Sequence, residues 1–148
     1  MRYWDASALV PLLVEEPGSD ATREWLEQDA TIVTWVWSRV EIASAVERRV
    51  RDNTLGRRQR REVLQRFTRL ANAWDEIADV LAVRRLALAL LARHPLTAAD
   101  SAQLAAALFA AEDDASSLPF VCLDQRLAEA AERENMAVVT WPEEELEE

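Results

Sequence analysis

The stretch MRYWDASALV, residues 1–10, joins a short extended segment to the start of an apolar helix. Arg2 to Trp4 is predicted to form a strand and Ser7 to Val14 a helix, so Asp5 lies where the strand passes into the helix. An aspartate at this place can cap the helix by accepting a backbone hydrogen bond. It can also present a carboxylate at the edge of a sheet, and both interpretations stay open on this stretch alone.

The rest of the chain alternates between short apolar runs and helical periodicity. Further strands are predicted at 31–35, 77–80, 120–123 and 137–140. Further helices are predicted at 19–28, 38–51, 57–72 and 97–112, together with one that follows the 77–80 strand and ends at Arg93 and one that begins at Asp124. Ser38 and Glu41 have the spacing of a capping box. Strands that alternate with helices predict an α/β fold, an α/β/α sandwich with a mainly parallel central sheet.

Length and composition limit the class of protein. The 148 residues, half of them hydrophobic, predict one domain over residues 1–142, followed by an acidic C-terminal tail at 143–148. We expect no signal peptide and no membrane span, and hence a cytoplasmic protein. The single cysteine, Cys122, excludes a disulfide framework and a cysteine-based zinc cluster, and the single histidine, His94, excludes a histidine-rich metal site.

The charge is unevenly distributed along the chain. The formal net charge is -10, and every basic side chain is an arginine. Nine arginines lie between Arg48 and Arg69, against Asp52 and Glu62, which gives this stretch a local charge of 9 minus 2, or +7. The stretch either contacts RNA phosphates or forms a solvated helical face, which would also suit an acidic segment of a protein partner.

Four acidic residues are placed by the predicted elements at one edge of the sheet. Asp5 and Asp124 directly follow strands, and Glu41 and Asp100 lie in the first turns of helices. In an open parallel sheet, ligands bind beyond the carboxyl ends of the strands. The four acids are therefore candidate site residues, although four independent acids at helix starts would look the same in the sequence.

Carboxylates that gather in one pocket repel each other unless a positive charge lies between them. The chain has no lysine, and Arg126 lies two residues after Asp124. A divalent cation is the natural partner, and carboxylates suit Mg²⁺ or Mn²⁺. Such a site activates water and stabilises charge on a phosphate, which predicts hydrolysis of phosphodiester bonds.

Four ordered motifs resemble those of PIN-domain ribonucleases, specifically the VapC-type toxins of toxin-antitoxin pairs. The resemblance covers essentially the whole chain. The motifs are Asp5-Ala-Ser7-Ala-Leu, Val40-Glu41-Ile-Ala-Ser-Ala, Leu96-Thr-Ala-Ala-Asp100-Ser-Ala-Gln-Leu-Ala and Val121-Cys-Leu-Asp124-Gln-Arg126-Leu-Ala.

The resemblance implies a PIN-like nuclease domain that cleaves RNA with Mg²⁺ or Mn²⁺. Its partners would be a cognate VapB-type antitoxin, the RNA substrate and a second copy of the chain in a homodimer. Ser7 would orient Asp5 or a bound water. The catalytic and metal-binding residues that it implies are Asp5, Glu41, Asp100 and Asp124.

Three features depart from the family pattern. Gln103 stands where histidine is frequent, and Cys122 stands where threonine or serine is frequent. The segment between Asp100 and Asp124 is somewhat long, so Asp113 or Asp114 is an alternative to Asp124 as the fourth acid.

Two functions of other classes stay open. One is a non-catalytic PIN-like interaction module. The other is a phosphoryl-accepting or phosphatase-like α/β domain, which also gathers aspartates at strand ends. The absence of lysine and of a paired Asp-x-Asp after the first strand disfavours the second, because Ser7 occupies the place of the second acid.

Overall fold

One five-stranded parallel sheet organises the protein. The computed structural model describes residues 1–141; Pro142 and the predicted acidic tail at 143–148 lie outside the described residues. The strands are β1 (Arg2–Trp4), β2 (Ile32–Trp35), β3 (Asp75–Ile77), β4 (Phe120–Val121) and β5 (Val138–Val139). They lie side by side in the order β3-β2-β1-β4-β5, and every neighbouring pair is parallel.

Seven α-helices connect the strands within residues 1–141. They are α1 (Ala6–Leu13), α2 (Ser19–Gln28), α3 (Ser38–Arg51), α4 (Arg57–Ala73), α5 (Val80–Arg93), α6 (Ala98–Ala111) and α7 (Gln125–Arg133), with a short 3-10 turn at Ala115–Ser117. None of these helices is long and apolar enough to cross a membrane.

The predicted α/β/α fold with a mainly parallel sheet is confirmed. The third strand was predicted at 77–80, and it lies instead at Asp75–Ile77. The reason is that Asp79 accepts a hydrogen bond from the Ala82 amide at 3.1 Å and so caps α5, which ends the extended segment early.

The two faces of the sheet bury two separate apolar cores. On one face Tyr3 and Phe120 stack at 5.5 Å between ring centroids and pack against helices α5 to α7. On the other face Trp4 and Val121 pack against helices α1 to α4. Successive residues of a strand point to opposite faces, so the short β1 segment supplies one large aromatic residue to each core.

The strand order places the carboxyl ends of β1 and β4 next to each other. The chain runs from the central β1 to β2 and β3 on one side, then crosses to β4 and β5 on the other side. The order therefore reverses at β1, and a crevice opens beyond strand ends at such a point. Asp5 follows β1 directly, and Asp124 is the third residue after the end of β4.

The start of α3 does not form the predicted capping box. Trp37 is the residue before the helix, and no side chain caps the amides of the first turn. Ser38 is fully buried, and its hydroxyl lies 2.7 Å from the Thr34 hydroxyl and 3.0 Å from Gln103 Nε2. The Glu41 carboxylate accepts from the same Gln103 amide and is directed toward the edge of the sheet.

Candidate metal centre

Asp5 is both a helix cap and a buried carboxylate. Its Oδ2 accepts from the Ser7 amide at 3.2 Å and from the Ser7 hydroxyl at 2.5 Å, which starts α1. The residue is only 3% exposed. Burial, together with repulsion from Asp100 and Asp124, raises the pKa of Asp5 to about 6, although the Ser7 hydrogen bonds oppose the shift.

Ser7 ties Asp5 to the loop that follows β4. While its hydroxyl donates to Asp5, its oxygen accepts from the Leu123 amide at 3.0 Å. The buried Cys122 Sγ lies 3.7 Å from Asp5 Oδ2 and 3.2 Å from the carbonyl oxygen of Asp124. Burial raises the pKa of this thiol far above its usual range, so Cys122 stays a neutral thiol beside the carboxylate.

Glu41 projects from the first turn of α3 into the same region. Its Oε2 accepts a hydrogen bond from Gln103 Nε2. Burial raises the pKa of Glu41 to about 7, and repulsion from Asp5 and Asp100 adds to the shift, whereas the Gln103 hydrogen bond opposes it. The carboxylate therefore ionises only at a clear cost when no cation is bound.

Asp100 and Asp124 complete the acidic group. Asp100 lies in the first turn of α6, where its amide donates to Thr97 Oγ1 at 3.2 Å. Partial burial raises the pKa of Asp100, and repulsion from Asp124 adds to the rise, while Arg126 opposes it. Asp124 is half-buried and caps α7 by accepting from the Leu127 amide at 3.1 Å.

The linings of two clefts bring the four predicted acids together, because Asp100 lines one with Asp5 and Glu41 and the other with Asp124. Repulsion from Asp100 and Asp124 acts on Asp5, and repulsion from Asp5 and Asp100 acts on Glu41. Within residues 1–141, no three His, Cys, Asp or Glu side chains lie close enough to enclose an ion by themselves. The donor set still fits Mg²⁺, because this ion commonly takes one or two carboxylates and keeps several waters or substrate oxygens.

Asp113 and Asp114, the alternatives to Asp124, lie beyond the opposite end of α6 from Asp100. The 14 residues of that helix correspond to a length of about 20 Å. Asp114 is exposed and accepts from the Ser116 amide at 3.1 Å and from the Ser116 hydroxyl at 2.6 Å. Its local geometry matches that of Asp5, but it has no second acid of the group beside it.

Two clefts meet at Asp100. One is lined by Asp5, Ser7, Glu41, Arg48, Arg49 and Asp100, among others, and the second by Thr97, Asp100, Asp124, Gln125, Arg126 and Glu129. Asp100 belongs to both linings, so the two clefts adjoin at this residue.

Arg48 and Arg49 belong to the arginine-rich stretch of the sequence, but their place in the cleft beside the acids was not predicted. Arg48 and Arg49 lie seven and eight residues after Glu41, a helical spacing that places them on the same side of α3 and that was visible in the sequence. Arg49 is held by Glu16 at 2.8 Å, whereas Arg48 is exposed. The cleft therefore offers a cationic side chain beside the carboxylates.

Comparison with known proteins identifies the fold. A model of the PIN domain family matches residues 2–140. The crystal structure of PAE2754 from Pyrobaculum aerophilum is similar with a TM-score of 0.61 and 20% identity, over 95% of this chain and 89% of that one. FitAcB from Neisseria gonorrhoeae gives a TM-score of 0.65 and 17% identity, over 93% of this chain and 96% of that one. At these identities the two structures are evidence of the fold alone.

A search of curated proteins gave no match, so the family assignment comes from the family model and agrees with the fold. PIN domains are generally nucleases, and they generally use divalent metal ions. The match spans nearly the whole chain, from β1 to the residue after β5. This chain belongs to the PIN domain family.

Proposed function

We propose that the protein is a metal-dependent endoribonuclease whose site is formed by Asp5, Glu41, Asp100 and Asp124. The observation that carries the proposal is the raised pKa of Asp5 and Glu41, the two most buried of the four acids. Burial, with repulsion from neighbouring acids, raises the pKa of Asp5 to about 6 and that of Glu41 to about 7. Among the described residues, neither carboxylate forms an ion pair with a basic side chain. A divalent cation supplies the missing positive charge.

The chain's own groups have separate tasks in this proposal. A bound divalent cation lowers the pKa of a water and stabilises charge on the phosphate. Ser7 fixes Asp5 through Oδ2, which leaves Oδ1 without a hydrogen bond among the described residues and able to face a ligand. The single histidine, His94, is buried and lies 3.0 Å from Glu134, so no imidazole serves as acid or base at the site.

Purified protein is expected to cleave a mixed RNA pool with Mg²⁺ or Mn²⁺ and to stop when a chelator is added. Gel analysis of the products over time, with and without chelator, measures the effect. Cleavage that persists unchanged in chelator would overturn the metal-dependent mechanism. If no RNA is cleaved and Mn²⁺ is not bound, the interaction module becomes the better interpretation; transfer of phosphate to an aspartate would favour the phosphoryl-accepting domain.

We propose that the RNA strand follows the two clefts, with phosphates bound by Arg48 and Arg126 on either side of Asp100. Replacing each arginine by glutamine should flatten the salt dependence of RNA binding, by about 0.7 in the logarithmic slope for each phosphate contact with single-stranded RNA. Fluorescence anisotropy in an Asp5→Asn background, which prevents cleavage, measures the slope.

Arg85→Gln is the matched control for the binding experiment. Arg85 is exposed on α5 and lines neither cleft. The salt dependence of RNA binding should be the same for this variant as for the parent protein. If the Arg48→Gln and Arg126→Gln variants also keep the salt dependence of the parent protein, Arg48 and Arg126 do not lie on the RNA path.

We further propose that the protein is the VapC-type toxin of a toxin-antitoxin pair. The ordered motifs and the family membership support this role, and the arginine-rich α3 and α4 would suit an acidic segment of a VapB-type antitoxin. Bound antitoxin would cover the clefts. A cognate antitoxin that binds the chain without inhibiting RNA cleavage would contradict this part of the proposal.

A homodimer belongs to the same proposal. Leu81 and Leu88 lie one heptad apart on α5 and are 63% and 65% exposed, and a second copy would cover these two leucines. Light scattering on the purified protein measures the mass, and Leu88→Glu should reduce a dimer to a monomer. A wild-type monomer at high concentration would contradict the homodimer.

A further inference from the structure

A buried chain of polar side chains connects the interior of the sheet to Glu41. Gln103 lies on α6 and is fully buried. Its Oε1 accepts from the Tyr3 hydroxyl at 2.6 Å, and its Nε2 donates to Ser38 Oγ at 3.0 Å and to Glu41 Oε2. The amide therefore joins β1, α3 and α6 at a point directly behind the carboxylate.

The hydrogen bonds fix the orientation of the Gln103 amide. The ionised Glu41 carboxylate can only accept, which requires Nε2 on the side of Glu41 and leaves Oε1 on the side of Tyr3, whose hydroxyl donates to it. Both N–H groups are then used, one on Ser38 and one on Glu41. A fully satisfied buried amide has one arrangement, because rotation would leave polar groups without partners.

The same bonds hold Glu41 in place. One carboxylate oxygen, Oε2, is bound to Gln103, so the orientation of the group in the cleft is set from behind. A glutamine does not change its charge with pH, so it donates to Glu41 under all conditions in which the carboxylate is ionised. Side chains that orient a metal ligand in this way typically change metal affinity or activity by 10- to 100-fold.

We propose that Gln103 is a positioning residue that holds Glu41 for binding of a divalent cation. This inference rests on the proposed function, because it gives Glu41 a metal to bind. It assigns the buried contact between Tyr3, Gln103 and Glu41 a role in the chemistry of the site, beyond its part in the core.

The test compares Gln103→Met with wild type by Mn²⁺ binding, measured as free Mn²⁺ in electron paramagnetic resonance titrations. Methionine keeps the length and burial of the side chain but removes its hydrogen bonds. The affinity for Mn²⁺ is expected to fall by about 10- to 100-fold. Tyr3→Phe, which removes the hydroxyl that donates to Oε1 and leaves the amide, should weaken Mn²⁺ binding by a smaller factor and serves if Gln103→Met does not fold.

Thr22→Val is the matched structural control. Thr22 is also fully buried, and its hydroxyl donates to the Ser19 carbonyl oxygen at 3.1 Å, outside the chain of hydrogen bonds that reaches Glu41. We expect it to lower thermal stability as Gln103→Met does, with Mn²⁺ affinity unchanged. Equal losses of affinity in both variants would reduce Gln103 to a structural residue and overturn the inference.

A double-mutant cycle separates this inference from the proposed function. In a Glu41→Gln background, Gln103→Met should cause little further loss of Mn²⁺ affinity, because the group that it positions has lost its charge. Additive losses would overturn the inference. If wild type itself binds no Mn²⁺, the proposed metal site fails; if wild type binds and Gln103→Met binds equally well, only the role of Gln103 fails.

Discussion

Asp5→Asn is expected to reduce metal-dependent RNA cleavage by more than about 100-fold, a larger effect than the loss of a group that only orients a metal ligand. Asparagine keeps the size of the side chain and an oxygen that can cap α1, but it removes the negative charge. Asp100→Asn should have a similar effect, since Asp100 lies at the junction of both clefts. Initial rates of cleavage at saturating Mn²⁺ measure both losses.

Asp114→Asn is the control for this prediction. Asp114 accepts from Ser116 as Asp5 accepts from Ser7, at nearly the same distances, and it lies beyond the other end of α6. If the acids act only as helix caps, Asp5→Asn and Asp114→Asn should both leave cleavage unchanged. If Asp5 binds the metal, Asp5→Asn loses RNA cleavage and Asp114→Asn keeps it. A wild-type rate of cleavage in Asp5→Asn would contradict the assignment.

The metal-free protein is expected to become more stable when Asp5 loses its charge. Burial raises the pKa of Asp5 from its ordinary value of 3.8 to about 6. A shift of about 2 units corresponds to about 3 kcal/mol of unfolding free energy that the ionised carboxylate costs. Asp5→Asn should therefore raise the free energy of unfolding by about 1–3 kcal/mol at pH 8 in chelator.

The pH dependence of this effect has the opposite sign to that of an ion-paired carboxylate, whose ionised form stabilises the folded state. Well below pH 3.8 the carboxyl is protonated in both the folded and the unfolded chain, so folding carries no penalty there. The penalty grows as the pH rises through 3.8 to about 6, where the unfolded chain ionises first, and it is fully present above that range. The gain from Asp5→Asn should therefore be large at pH 8 and small, below about 1 kcal/mol, at pH 4.

Urea unfolding at both pH values measures the gain. Asp114→Asn, at an exposed position, should change the free energy of unfolding by less than about 0.5 kcal/mol at either pH. Saturating Mn²⁺ should raise the stability of wild type and not of Asp5→Asn, because a ligand stabilises only the state that binds it. A loss of stability in Asp5→Asn that is equal at pH 4 and pH 8 would contradict the pKa shift.

Local signals predicted most of the elements. Ser19–Gln28 and Ser38–Arg51 agree with the predicted helices at both ends, because a turn or a polar residue marks each start and the periodicity holds through each helix. The capping box at Ser38 was wrong for a tertiary reason. Gln103, 65 residues away from Ser38, has a buried amide that donates to the Ser38 hydroxyl and to the Glu41 carboxylate, so neither side chain caps the start of the helix.

The sequence by itself determined the fold class and indicated four candidate acids at strand ends and helix starts. Both follow from local rules, since hydrophobic periodicity defines the elements and parallel strands present their carboxyl ends on one side. Only the tertiary structure decided which partner each acid has. Gln103 behind Glu41, Ser7 between Asp5 and Leu123, and Arg48 beside the cleft depend on how α3 and α6 pack on the sheet. The pKa values of Asp5 and Glu41 depend on burial by that packing, and burial is a property of the folded chain as a whole.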